Sequence, residues 1–297
     1  MNYLFKGVAT ALTTPFSKDG INYPVFEQQI DRQLKANVDA LVFLGTTGES
    51  PTITRKERHE IIAFAKDKLK GKIPIIVGTG SNSTLQACEL TSEAKELGAD
   101  GALVVTPYYN LCEQEGLELH YKEISKCRFP FIVYNVPKRT GINIPPLAAK
   151  NILSLDFAMG IKEANSDISH VKNLFSTIED NHPIYCGCDD LLSVFLQLEC
   201  TGTISVASNI IPFKIQEFIS NFKTNYEKHN NNFDLFYSKI LSLLSSKINP
   251  IPIKCLEEIL YDEACIFRLP LNRPRKDYFD FLKSQLTKLN LQKEDLC

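Results

Sequence analysis

Short apolar runs alternate with amphipathic stretches over the first ~210 residues of the chain. Gly7–Leu12, Ala40–Leu44, Ile73–Val77, Ala102–Val105, Phe131–Tyr134, Phe157–Ile161, Pro183–Tyr185 and Thr203–Val206 are largely apolar and bounded by turn residues. That pattern predicts eight buried strands. Between the first two, Phe26, Ile30 and Leu34 recur at helical spacing and predict a helix over Val25–Leu34. Thr54-x-x-Glu57 and Ser83-x-x-Gln86 are helix-start signals. Asp167 is a further N-cap, for a helix that turns Ile168, Val171, Leu174, Phe175 and Ile178 inward. A strand–helix alternation of this length predicts an α/β protein, a (β/α)8 TIM barrel over residues 1–221. The alternative is a doubly wound open sheet, but Gly78-Thr-Gly80-Ser-Asn-Ser83 has only two of the three glycines of a dinucleotide loop.

From Phe222 the strand signals stop. Phe233–Leu244 and Asp277–Leu289 are amphipathic, while Asn249-Pro-Ile-Pro252 and Arg268-Leu-Pro-Leu271 are turns and breakers. Residues 222–297 are therefore expected to form a C-terminal helical domain packed on the barrel. Its charged end, Gln292–Cys297, is expected to fray.

Composition narrows the function. The chain has 297 residues, 44% hydrophobic and 23% charged, and 33 basic against 35 acidic residues give a net charge of -2. That balance argues against a nucleic-acid groove or a membrane-binding face. No apolar stretch reaches the ~18 residues of a membrane span, and the segment before the first strand is too short for a secretory leader. A cytoplasmic enzyme is expected. The nine cysteines are odd in number and scattered, which suits reduced thiols. Cys186-Gly-Cys188 lacks metal-ligand spacing, and neither HExxH nor GxxxxGK[ST] occurs. No metal is expected.

The candidate chemistry lies where strands end, because the carboxyl ends of parallel strands form the reactive face. Tyr134 closes the fifth run and Lys162 follows the sixth. A lysine that merely caps a strand points to water. One at the edge of an apolar core loses hydration, which favours the neutral amine able to attack a carbonyl. Gly45-Thr-Thr-Gly48 is either a tight turn or a carboxylate cradle whose backbone approaches a ligand closely. Tyr134 needs a hydrogen-bonded hydroxyl partner to relay protons at neutral pH. Arg139, between Pro137 and Gly141, is either a surface cation or a bidentate grip on a carboxylate. Tyr108 and Tyr109 belong to an interface or to a site.

Gly45-Thr-Thr-Gly-Glu49, Tyr134-Asn-Val-Pro-Lys-Arg139-Thr-Gly141 and Gly160-Ile-Lys-Glu-Ala164 occur in this order. Together with Thr106-Pro-Tyr-Tyr-Asn110, Asn249-Pro-Ile-Pro252 and Arg268-Leu-Pro-Leu271 they strongly resemble the dihydrodipicolinate synthase family. Its members are pyruvate-dependent Schiff-base aldolases built on a (β/α)8 barrel. The resemblance runs from about Phe5 to about Pro274. It implies that Lys162 is the Schiff-base lysine and that Thr47, Tyr134 and Tyr109 form a proton relay, with Tyr109 supplied by a neighbouring subunit. It implies that the Thr46 and Thr47 amides hold the pyruvate carboxylate, that Gly187 and Ile204 line the pyruvate pocket, and that Arg139 binds the second substrate. The implied activity is condensation of pyruvate with L-aspartate 4-semialdehyde in lysine and diaminopimelate biosynthesis. No cofactor is implied, and the implied assembly is a homotetramer made of two dimers.

Another pyruvate-dependent lyase, such as an N-acetylneuraminate or keto-deoxy-sugar aldolase, is the alternative within the resemblance; sugar-cleaving relatives usually lack the arginine at position 139. Lys138, Asn165, Cys186 and Cys188 depart from the family pattern. At the positions matching the lysine-regulatory cleft stand Ser50, Pro51, Arg55, Arg58, Asn82, Gln86 and Tyr108. Lysine-sensitive relatives have histidines at the positions of Arg55 and Arg58, and a glutamate at that of Gln86. The resemblance therefore implies weak or absent feedback by L-lysine.

Overall fold

The structure, a computed structural model, describes residues 3–178 and 182–289, apart from the side chains of residues 223–235. The charged end Gln292–Cys297 lies outside the described residues. Eight parallel strands pair in chain order: β1 (Gly7–Ala11), β2 (Ala40–Phe43), β3 (Ile75–Gly78), β4 (Gly101–Val105), β5 (Phe131–Asn135), β6 (Ala158–Glu163), β7 (Ile184–Cys186) and β8 (Gly202–Ser205). β8 pairs with β1 and closes the barrel. The expected (β/α)8 architecture is the one found.

Helices α1 (Tyr23–Lys35), α2 (Arg55–Leu69), α3 (Thr84–Glu96), α4 (Gln114–Ser125), α5 (Pro146–Leu153), α6 (Ile168–Thr177) and α7 (Leu192–Gln197) fill the connections. α8 (Pro212–Leu244) follows β8 and packs on β1, so it runs unbroken through residue 221. α9 (Ile251–Tyr261) and α10 (Lys276–Lys288) complete the chain.

The strands look uniformly apolar in sequence because both of their faces are buried. Val8, Leu41, Phe43, Ile75, Val77, Val104, Phe131, Val133 and Ile161 face the helices. Ala9, Ala11, Ala40, Val42, Ile76, Leu103, Ile132, Tyr134 and Ile204 fill the barrel. This is the two-residue period of a strand read on both sides. Phe5, ahead of β1, stacks on Tyr185 at 4.4 Å and closes the barrel end opposite the reactive face.

Local signals explain most helix starts. Thr54 and Glu57 form both halves of a capping box for α2. Ser83 accepts from the Gln86 amide, but the Gln86 side chain turns to Ser81 Oγ at 2.5 Å instead of completing a box. Asp167 caps α6 through the Ser169 amide. Ile168, expected inward, is 42% exposed, because it opens α6 before the turn that meets the barrel; His170 is buried there instead. The proline segment read as a breaker runs straight into α9, with Pro250 as its N-cap and Pro252 in its first turn. A proline is tolerated at that end of a helix because its missing N–H has no intrahelical acceptor.

One irregularity decides what β6 presents to the interior. Ala158 pairs with Phe131 and Ile161 with Val133, so β6 spends three residues where β5 spends two. The extra residue falls beside Gly160, whose φ of +134° is open to glycine and strained for other residues. Strict alternation from outward-facing Ala158 would turn Ile161 inward and Lys162 outward. The bulge reverses this phase: Ile161 packs among the helices and Lys162 enters the barrel.

The C-terminal helices are fixed to the barrel by buried polar groups. Thr13 Oγ donates to Glu257 at 2.9 Å, Gln29 Nε2 donates to Glu263 at 2.9 Å, and Arg32 pairs with Glu263 at 2.9 Å. Burial, with Glu263 adding to it and Arg32 opposing, pushes the Glu257 carboxyl from its ordinary 4.5 up to about 8. The folded chain therefore holds a proton there that the unfolded chain releases near 4.5, and this contribution to stability is lost as pH rises towards 8. Glu257→Gln is expected to flatten the fall in melting temperature between pH 5 and pH 9, checked by thermal denaturation across that range.

Candidate active site

The carboxyl ends of the strands surround a cavity of about 300 Å³ lined by Thr46, Thr47, Tyr134, Lys138, Arg139, Lys162, Gly187 and Cys188, among others. Lys162 and Tyr134 are register partners on adjacent strands. Both lie one residue inside their strands and do not close them, so the barrel wall fixes their backbones. Lys162 is only 5% exposed, and its Nζ sits 4.4 Å from the centre of the Tyr134 ring. Small inward residues such as Ala11 and Ala164 leave room for the aliphatic stem.

Gly187 explains itself through Lys162. A Cβ there would stand 2.9 Å from Lys162 Cε and 2.9 Å from the Glu163 carbonyl oxygen, so only glycine leaves the lysine its path. Gly78 is a packing glycine of the same kind. Its missing Cβ would meet the Leu44 carbonyl at 2.1 Å, which accounts for that motif without a dinucleotide.

The loop after β2 is held rigidly. The amides of Gly48 and Ser50 bond to the Gly45 carbonyl and that of Glu49 to the Thr46 carbonyl. The Thr46 and Thr47 amides have no such partner among the described residues. Thr14 Oγ donates to the Gly48 carbonyl at 2.7 Å, and the buried Glu49 carboxylate meets Lys254 Nζ at 2.6 Å. Two unbonded amides in a braced turn are free to donate to an anionic group in the cavity.

Arg139 is exposed at the rim, in the helical turn Pro137–Thr140 that Gly141 ends with φ +77°. Its Nη2 donates to the Asn249 carbonyl at 2.9 Å, and Asn249 Nδ2 donates to Thr47 Oγ at 3.1 Å. Asn249 thus links the rim to the loop after β2, a role its reading as a breaker missed. Lys138 is likewise exposed at the rim. Ile204 lies in the barrel core, while Val206, just past the end of β8, lines the cavity. Asp189 also lines the cavity and accepts the Val206 and Ala207 amides at 2.9 Å; burial raises its carboxyl above the usual range. The Cys188 thiol is pushed up to about 12 by burial and then by Asp190, so it stays a neutral group beside the amine.

Tyr109 lies outside this cavity. It is 93% exposed with φ +74°, a strained backbone for a ring left in solvent. A second cavity of about 580 Å³ opens beside the first and is lined by Ser50, Pro51, Arg55, Arg58, Gln86 and Tyr108. Arg58 donates to Ser50 Oγ at 3.0 Å and to the Gly78 carbonyl at 2.6 Å. Burial lowers it to about 10, which leaves it a cation at neutral pH. Arg55 pairs with Glu93. Asn82 does not line this cavity; its carbonyl accepts from Asn110.

The fold and the site define the class first: a (β/α)8 enzyme with a buried primary amine beside a tyrosine on the reactive face. Residues 4–289 match the dihydrodipicolinate synthetase family, and the chain belongs to that family. It is 41% identical to a 4-hydroxy-tetrahydrodipicolinate synthase of Alkaliphilus oremlandii over 287 residues, 95% of this chain and 99% of that protein. The crystal structure of a dihydrodipicolinate synthase from Thermotoga maritima superposes with a TM-score of 0.94 at 36% identity, covering 98% of this chain and 100% of that one. The chloride-inhibited enzyme of Acinetobacter baumannii, solved with pyruvate, superposes with a TM-score of 0.92 at 33% identity, covering 97% and 99%. No helix among the described residues is long and apolar enough to cross a membrane.

Gly187→Ala is expected to slow reaction of the lysine with a keto acid by more than about tenfold, because a misplacement near 1 Å has that scale of effect. Single-turnover trapping with borohydride measures it.

Proposed function

We propose that this chain condenses pyruvate with L-aspartate 4-semialdehyde to give 4-hydroxy-tetrahydrodipicolinate, the step of lysine and diaminopimelate biosynthesis for which its relatives are named. The observation that carries the reading is the buried Lys162 amine beside Tyr134, in a cavity that also holds two unbonded amides. The Thr46 and Thr47 amides hold the pyruvate carboxylate. Lys162 Nζ attacks the ketone carbon, and loss of water leaves an iminium. The iminium acidifies the methyl group, which gives up a proton and becomes an enamine carbon. That carbon attacks the aldehyde, and the aldehyde oxygen takes a proton. The semialdehyde amine then adds to the iminium carbon, releasing Lys162 and closing the ring. Tyr134, Thr47 and Tyr109 relay the protons, with the Thr47 hydroxyl braced by Asn249. Arg139 at the rim receives the carboxylate of the second substrate, which favours this reading over a sugar aldolase.

Incubation with pyruvate and borohydride should place a reduced adduct on Lys162, read by peptide mass spectrometry; an adduct elsewhere sinks the mechanism. Arg139→Ala should keep that adduct and lower kcat/KM for the semialdehyde by roughly 2–5 kcal/mol of lost binding, since it removes a charge-assisted contact. In the same assay L-lysine should inhibit weakly or not at all, because Arg55 and Arg58 put cations where its ammonium would sit.

The active unit is a homotetramer built from two dimers, in which Tyr109 completes the partner's site. Its near-full exposure and strained backbone support this, as does the exposed Leu111 close by. Mixing Tyr109→Phe with Lys162→Ala subunits should recover activity that neither has alone. A fully active monomer by sedimentation overturns it.

A further inference from the structure

The last residues of β5 and β6 lie on the outer face of the barrel wall, directly behind the reacting pair. Asn135 and Glu163 are register partners, as Tyr134 and Lys162 are. Glu163 is 0% exposed, yet its carboxylate is fully engaged. It accepts Asn135 Nδ2 at 3.0 and 2.9 Å, the Asn165 amide at 2.6 Å and His170 Nε2 at 3.3 Å. Asn143 Oδ1 accepts from Asn135 at 2.9 Å and from Asn165 at 3.1 Å. The other end of the Asn143 amide must then donate, and it meets His170 Nδ1 at 3.3 Å. Nδ1 is therefore an acceptor, and the imidazole proton sits on Nε2, aimed at Glu163. Every bond is satisfied in that arrangement, and the carboxylate is buried with both oxygens engaged by the cluster. Such a group is held only when its donors are fixed, and the donors are reciprocally fixed by it.

We propose that Glu163 is a positioning residue for the reaction: through Asn135 and Asn165 it clamps the carboxyl ends of β5 and β6 so that Lys162 faces Tyr134. The clamp acts on the segment just beyond the bulge, where the pairing of β5 and β6 is irregular and the phase of Lys162 is set. It also gives the departure at Asn165 a purpose. The Asn165 amide binds Glu163, its Nδ2 reaches Asn143, and its Oδ1 accepts the Asp167 amide at the start of α6. The proposal rests on Lys162 as the Schiff-base residue.

Glu163→Gln keeps the shape but turns an amino group towards donors. It should lower both kcat and the rate of borohydride-trapped adduct by more than about tenfold, with KM for the semialdehyde within about twofold. The exchange Asn135→Asp with Glu163→Gln reverses donor and acceptor across the pair and should recover part of the trapping rate. Rescue of that kind is not expected from a residue that only contributes stability. A folded Glu163→Gln with the wild-type trapping rate overturns the proposal, as does a folded double variant no faster than the single one. If Glu163→Gln does not fold, Asn143→Ala at the edge of the cluster decides: slower trapping supports the clamp and an unchanged rate overturns it. Failure of the wild type to trap pyruvate at Lys162 would instead remove the Schiff-base reading itself.

Discussion

Everything the site can do depends on one extra residue in β6. The side chains of a strand alternate, so a single-residue slip exchanges its two faces. Between positions paired to Phe131 and Val133, β6 fits an additional residue at the Gly160 bulge. Ile161 is thereby delivered to the helix layer and Lys162 to the barrel. Without the slip the amine would lie among apolar helices, and Ile161 would occupy the cavity. Gly187 then clears the path of the lysine stem, and Ala11 and Ala164 leave it space.

The alternation of faces also sets what was legible in sequence. Eight apolar runs are visible because both faces of every strand are buried, and their alternation with helices, without a dinucleotide glycine loop, points to the barrel. The bulge is not visible, because Met159-Gly160-Ile161 reads equally well as regular strand; hence Lys162 was legible as a residue after a run and not as one inside a wall. The candidate residues on strands and on the loop after β2 were readable from motifs. Asn249 was not, since its partners Thr47 and Arg139 lie far away in the chain and a proline beside it reads as a stop. Ile204 sits below the cavity and Val206, past the end of β8, lines it; sequence alone does not say how deep the cavity reaches.

Two kinds of buried carboxylate stand out among the described residues. Glu49 with Lys254, and Arg32 with Glu263, are ion pairs that join the C-terminal helices to the barrel. Glu163 and Asp189 are carboxylates held by amide donors close to the Lys162 amine. The first kind fixes the appendage; the second shapes the ground around Lys162 without a fixed cation to compete with it. Removing one partner of either kind leaves an uncompensated group, which is far more harmful than never having built it.

The contact of Asn249 with Thr47 spans 202 positions of sequence, and that of Glu257 with Thr13 spans 244. A chain emerging from the ribosome therefore reaches β8 before it can brace the loop that follows β2. Long-range contacts of this kind form late, because loop closure must come before they reward it. The nascent barrel can be largely wound while its threonine hydroxyl is still unsupported. The support of that hydroxyl is thus a property of nearly completed synthesis, because Asn249 lies beyond the eighth strand.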